Sequence, residues 1–164
     1  MVTQERLHEL FEVDLRTGFF INRKDRCKVK AGTIAGWWAG NYWKIKIDCE
    51  TYLTHRLLWF FVHGTWPEEI DHRDGDHTNN AFSNLRDATS SQNKCNKSST
   101  VGVSGLRGVY PNHKGGQSWR SMIQIGKRQI WLGSFNTKEE AALVYKEAAK
   151  LHHGEFAFHE RNST

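Results

Sequence analysis

The spacing of hydrophobic and polar positions changes several times along this chain, and each change marks an element. From Leu10 to Asn22, FEVDL and FFIN flank Arg16-Thr17-Gly18, which predicts a hairpin with Gly18 supplying the positive φ of the turn. Tyr42 to Ile47 alternates as a half-buried strand does, and the turn Asp48-Cys49-Glu50 leads to a partner strand at Tyr52-Leu53. HRLLWFFVHG then predicts a short helix stopped by Gly64, with Trp59, Phe60 and Phe61 in the core. After Pro67 the text turns polar. It predicts a short strand ending at His72, a long Asn- and Asp-rich loop, a short strand from Leu85 to Ala88, and a helix capped by Thr89 or Ser90 with Asn93 in its first turns.

Lys97 to Ser104, KSSTVGVS, is small and polar and reads as a linker, after which the pattern restarts. Strands are predicted at Gly108-Val109-Tyr110, Trp119 to Ile125 and Gln129 to Leu132, with turns at Lys114-Gly115-Gly116 and Gly126-Lys127. Within the middle strand Ser121, Ile123 and Ile125 share one face, and Arg120, Met122 and Gln124 share the other. A helix follows, with Thr137 and Glu140 at capping-box spacing and Gly154 as its stop. Ala141, Val144, Tyr145, Ala148 and Leu151 recur at intervals of three and four, giving that helix an apolar face to cover the sheet.

Composition narrows the class. With 164 residues, 38% of them hydrophobic, the chain can bury one core or two small ones. No apolar run approaches the length of a membrane span, and MVTQERLHEL lacks the basic head and apolar core of a secretory signal, so a cytoplasmic protein is expected. Cys27, Cys49 and Cys95 are far apart and form no CxxC pair, which argues against a disulfide framework or a zinc knot. A net charge of +5, from basic residues spread along the chain, points to a polyanionic partner such as nucleic acid.

The candidate chemistry lies between Ile70 and Asn96, IDHRDGDHTNNAFSNLRDATSSQNKCN. Asp71 and His72 are adjacent, Asn84 lies twelve positions beyond His72, and Asn93 nine beyond that. A divalent metal on oxygen ligands beside an imidazole base can attack a phosphodiester, and long polar loops in small domains are often functional. Neighbouring side chains in a strand point to opposite faces, so Asp71 and His72 share a site only if the strand ends there or the phosphate lies between them. Asn79 and Asn80 read as loop-formers; Asp76 and His77 stay unassigned, and Asn96 competes with Asn93.

Asp71-His72, Asn84 and Asn93, set in DHRDGDHTNN, SNLR and SQN, resemble the HNH nucleases, and more narrowly the phage and intron-associated homing endonucleases of that class. HRLLWFFVHGTWPEEIDH and the glycine-rich KAGTIAGWW are also similar to such proteins, so the likeness covers most of residues 10 to 97. It implies a β-β-metal fold in which two short strands and a helix pinch one divalent ion, Mg²⁺ or Mn²⁺. His72 would be the general base, Asn84 the residue orienting it, and Asp71 and Asn93 the metal ligands. An imidazole with its ordinary pKa of about 6.5 is a competent base near neutrality, and hard oxygen donors suit these ions. His55-Arg56 also recurs in the family pattern, where Arg56 either holds a carboxylate or phosphate or contacts DNA.

From residue 105 to 158 the text resembles the Apetala-two/ethylene-response-factor DNA-binding domain, through Arg107-Gly108-Val109, Trp119, WLGSF from Trp131 to Phe135, and TKEEAA from Thr137. That family implies a three-stranded sheet in the major groove, backed by the helix. Matching positions put Arg107, Gly108, Tyr110, Arg120, Met122, Gln124, Gln129 and Trp131 on or near DNA. Tyr110, Asn112, Gln124 and Gln129 stand where the plant pattern has arginines, so the plant target site is not inherited. For Trp131 a place in the sheet core is the equal alternative; Trp119 is expected in the core.

The expected fold class is α+β: a β-β-metal HNH nuclease domain over residues 1–97, a linker over 98–104, and over 105–164 a small three-stranded antiparallel sheet backed by one helix. The expected function is metal-dependent endonuclease cleavage of double-stranded DNA by a monomer, nicking or cutting both strands. The rival is a catalytically inactive DNA-binding regulator built on the same domains.

Overall fold

The computed structural model describes residues 1–26, 28–96, 103–112 and 118–157. Cys27, most of the expected linker and the expected turn at Lys114-Gly115-Gly116 lie outside them. The chain forms two compact units, Met1–Asn93 and Lys94–Thr164.

The first unit opens with a helix not expected from the sequence, α1 (Gln4–Leu10), capped by Thr3, whose side chain accepts the Arg6 N–H. Only Leu7 and Leu10 of α1 are buried. The expected hairpin follows as β1 (Phe11–Asp14) and β2 (Phe19–Asn22), antiparallel with Phe11 opposite Asn22. β3 (Trp37–Ala39), β4 (Tyr42–Ile47) and β5 (Glu50–Leu53) make a three-stranded antiparallel sheet. Its β4–β5 turn carries Asp48 and Cys49 at φ 46° and 73°. That is the two-residue left-handed geometry that matches strand twist. α2 (Thr54–His63) then runs to Gly64, which closes it in the left-handed region at φ 72°.

β6 (Glu69–His72) and β7 (Leu85–Ala88) pair antiparallel, with Asp71 opposite Arg86 and His72 opposite Leu85. A 3₁₀ turn, Phe82–Asn84, precedes β7, and α3 (Ser90–Asn96) follows it and crosses the division between the units. Thr89 and Gln92 exchange hydrogen bonds at its start: the Gln92 side-chain oxygen accepts the Thr89 N–H at 2.8 Å, and the Thr89 hydroxyl accepts the Gln92 N–H at 3.3 Å. One core serves this whole unit, drawing Leu7 and Leu10 from α1, Phe11 and Phe20 from the hairpin, Ile45 and Ile47 from β4, Leu57, Leu58 and Phe60 from α2, and Ile70 and Leu85 from β6 and β7. Each such side chain contributes about 1.5–3 kcal/mol on burial, so the β6–β7 hairpin is fixed to the rest of the unit by its own apolar face. Trp59 and Phe61 pack against the same core, as expected.

The second unit holds β8 (Val109–Pro111), β9 (Trp119–Ile125) and β10 (Arg128–Phe135) in antiparallel order β10-β9-β8. α4 (Lys138–His153) packs on all three strands and carries the expected capping box between Thr137 and Glu140, with Gly154 at its end. Ser121 and Ile123 are buried while Arg120 and Gln124 are exposed, the alternation expected of β9. Gly108 permits the tight fit of α4, because a Cβ there would lie 2.0 Å from the Tyr145 ring. Leu151 is not part of the covered face; it is 80% exposed, and Ala141 and Ala149 are the fully covered positions. Trp119, expected in the core, is half-buried.

Candidate active site

The last two residues of β6 carry the candidate site. Asp71 and His72 are both buried, and strand alternation sends them to opposite faces of the hairpin. Asp71 meets its cross-strand partner: Arg86 Nε and Nη2 lie 2.7 and 2.6 Å from Asp71 Oδ2. His72 meets Asn80, whose Oδ1 lies 3.0 Å from its Nε2, and the ring of His55 from α2, with centroids 5.2 Å apart. Burial, with smaller contributions from His72 and Arg56, pushes the His55 imidazole down to about 3, so it is neutral at physiological pH. Tyr42 from β4 packs against both His55 and the exposed His77.

Asn84, for which the family likeness implied a hold on His72, spends its side chain on the loop that follows His72. Its Nδ2 donates to Asp74 Oδ1 at 2.9 Å and to the Asn79 carbonyl at 2.8 Å, and its Oδ1 accepts the Asp74 N–H at 3.1 Å. The Asn84 carbonyl also accepts the Arg73 N–H at 2.8 Å, closing the chain just beyond His72. Partial burial opposes ionisation of Asp74, but donors from Asp76, Asn84 and Asn79 outweigh it and hold that carboxyl below its usual value. Asn79 is a loop-former, as expected, donating to Asp74 Oδ2 at 2.7 Å. Asn80 was read the same way, yet its side chain reaches the imidazole. No sequence period could have shown this, because the contact depends on how the loop folds back. Arg56 donates to the carbonyls of Glu68 and Pro67 at 3.0 and 2.9 Å, fixing the entry to β6.

On the Asp71 side of the hairpin, Asn93 of α3 donates its amide to Glu69 Oε2 at 2.5 Å. Glu69 and Asp71 alternate onto one face of β6. The Asn93 Nδ2 is thereby engaged, and its amide oxygen is the atom suited to a cation. A carboxylate and an amide oxygen fit a hard divalent ion such as Mg²⁺ or Mn²⁺, which takes one or two protein oxygens and fills its shell with water and phosphate. The donor types therefore fit the ion the family implies, with Arg86 as the competing partner of Asp71. Among the described residues no three His, Cys, Asp or Glu side chains gather in a cluster that could hold a metal.

In the second unit the register assembles the face expected to meet DNA. Tyr110 lies opposite Arg120, Trp131 opposite Met122, and Gln129 opposite Gln124. The Arg120 guanidinium stands 5.9 Å from the Tyr110 ring centroid. Trp131 is 63% exposed and so is not a core residue. Arg107 is placed differently: it is half-buried and hydrogen-bonds Tyr145 of α4.

Residues 52–95 match the HNH endonuclease family. The chain is 31% identical over 125 residues to an uncharacterized HNH endonuclease of Acanthamoeba polyphaga mimivirus, an alignment covering 74% of this chain and 64% of that protein. It is 33% identical over 106 residues to protein 3.8 of Escherichia phage T7, covering 63% of this chain and 86% of the phage protein. The chain belongs to the HNH endonuclease family. It spans less than two thirds of the length of the mimivirus protein. A shorter likeness, 43% identity over 44 residues, joins it to an ethylene-responsive transcription factor-like protein of Arabidopsis thaliana, covering 27% of this chain and 18% of that one. Among the described residues no helix is long and apolar enough to cross a membrane.

Proposed function

We propose that this protein is a metal-dependent DNA endonuclease of the homing type. The observation that carries this reading is the end of β6, where buried His72 contacts Asn80 and His55 and the neighbouring Asp71 pairs with Arg86, so that the phosphate would lie between the two side chains. His72 takes the proton from the attacking water. Asp71 and Asn93 would hold one Mg²⁺ or Mn²⁺ ion, and Asn84 fixes the loop behind the base through Asp74. When bound, such an ion supplies electrophilic stabilisation of the phosphate and of the departing 3′ oxygen. The second unit meets double-stranded DNA with Tyr110, Arg120, Gln124, Gln129 and Trp131, while Arg107 steadies the fold behind them. Positive charge on the chain contributes salt-sensitive phosphate contacts, and the sheet face contributes base preference.

The test is conversion of supercoiled plasmid carrying the source genome's DNA by wild type and His72→Ala, with Mg²⁺, Mn²⁺ or EDTA. Cleavage that needs metal and disappears with His72 is expected; equal activity of both proteins contradicts the assignment. One observation favours the rival, a DNA-binding regulator without activity: Arg86 already occupies the Asp71 carboxylate. Tight binding of source DNA with no metal-dependent cleavage by wild type would select that reading.

A further inference from the structure

We infer that Asn80 is a positioning residue for His72, and that the turn of the first hairpin holds Asn80 in place. This rests on the reading of His72 as the general base. Both side chains are buried, and Asn80 Oδ1 lies 3.0 Å from His72 Nε2. An amide oxygen only accepts hydrogen bonds, so the contact favours the ring proton on Nε2 and fixes the direction in which the imidazole points. The adjacent amide of Asn79 serves the loop instead, so the two asparagines divide between scaffold and base.

What fixes Asn80 is the β1–β2 turn. Gly18 has φ +76°, and a Cβ on it would lie 2.0 Å from the Asn80 carbonyl oxygen and 2.7 Å from the Asn80 Cβ. Two residues beyond Asn80, the Phe82 N–H donates to the Leu15 carbonyl at 2.9 Å, from the other end of the same turn. The hairpin backbone thus bears directly on the segment that aims the amide. The ring of His55 also packs against the imidazole, at 69° to it. The His72 ring therefore meets two elements, α2 through a ring contact and the loop through a hydrogen bond.

The test uses the full chain with Asn80→Ala, Asn80→Leu and Asn80→Asp. Steady-state plasmid cleavage gives kcat and KM, and ¹⁵N imidazole shifts of His72 in the metal-free protein give the tautomer. Loss of the acceptor in the Ala and Leu variants is expected to lower kcat roughly 10–100-fold, the usual effect of removing an orienting partner, while KM stays within about twofold. Asp, which keeps an acceptor oxygen, recovers most of the rate. Wild type shows the Nε2–H tautomer and the Leu variant a mixture. Leu matching wild type in kcat, or Leu rescuing where Asp does not, overturns the positioning role and leaves only a demand for volume. An unchanged tautomer in all three variants overturns it as well. Wild-type protein that binds DNA but cuts nothing overturns the functional reading itself and the positioning role with it, so the two failures are told apart by the wild-type control.

Discussion

The two units treat polar side chains in opposite ways. In the first, His55, Asp71, His72, Asn80 and Arg86 are buried; Asp71 pairs with Arg86 and His72 with Asn80, while His55 packs its ring on His72. In the second, Arg120, Gln124, Gln129 and Trp131 lie open on a flat sheet face. Burial of polar groups is costly unless they are paired, and it is worthwhile where a group must keep one orientation while a bond breaks. A surface that reads a polymer needs reach rather than fixity. Under the proposed function the contrast matches chemistry in the first unit and recognition in the second, and each proposal can be attacked separately.

The largest expected effect is on the base. His72→Ala should lower cleavage by about 10²–10⁴-fold, the usual worth of a general base, while DNA affinity measured with EDTA stays unchanged. A fall in both would merge the two roles. Next is the ion pair on the other face of the hairpin. Arg86→Ala leaves Asp71 buried without its counter-charge, which should cost about 3–5 kcal/mol in chemical denaturation. The paired replacement Arg86→Met with Asp71→Leu should restore most of that stability and still abolish metal-dependent cleavage. That result would separate the carboxylate's chemical role from its structural one.

A smaller effect comes from pH. His55 is neutral in the folded protein down to about 3, whereas an unfolded histidine takes its proton near 6.5. Between those values the unfolded chain binds more protons, so stability is fully present above about pH 6.5 and is lost as pH falls. From pH 6.5 to 5 the loss should be about 2 kcal/mol, read as a falling melting temperature, and His55→Phe should flatten it. In the second unit His153 of α4 is shifted in the same direction by partial burial, with Arg107 and His152 adding to it. The smallest change is on the sheet face. Arg120→Ala should weaken binding by about 1 kcal/mol and reduce its salt dependence or relax preference among sites.

Local pattern made much of the fold legible. The alternation around Gly18, the cap at Thr89, the capping box at Thr137 and Glu140, and the two faces of β9 all depend on residues close in sequence. α1 was missed because its short charged stretch offers only Leu7 and Leu10 to the core. β3 was missed because it is three residues long and exposes both tryptophans. Leu151 was placed on the covered face of α4 by spacing alone. At about 100° per residue it lies roughly 120° from the line through Ala141, Tyr145 and Ala149, and it faces water. At the site, adjacency and spacing pointed to Asp71, His72, Asn84 and Asn93. The Asp71–Arg86 pair requires the β6–β7 register, and the Asn80 contact requires the loop's path over the first hairpin. Neither is encoded in a period.

The division of labour is tested most directly by measuring, on one cognate duplex and one unrelated duplex, the single-turnover cleavage rate at saturating protein together with the dissociation constant. The comparison is between wild type, His72→Ala and the double variant Arg120→Ala with Trp131→Ala. The account predicts that His72→Ala loses rate on both duplexes and keeps affinity, while the double variant loses its preference for the cognate duplex and keeps its saturated rate. A double variant that loses rate and affinity equally on both duplexes would contradict it.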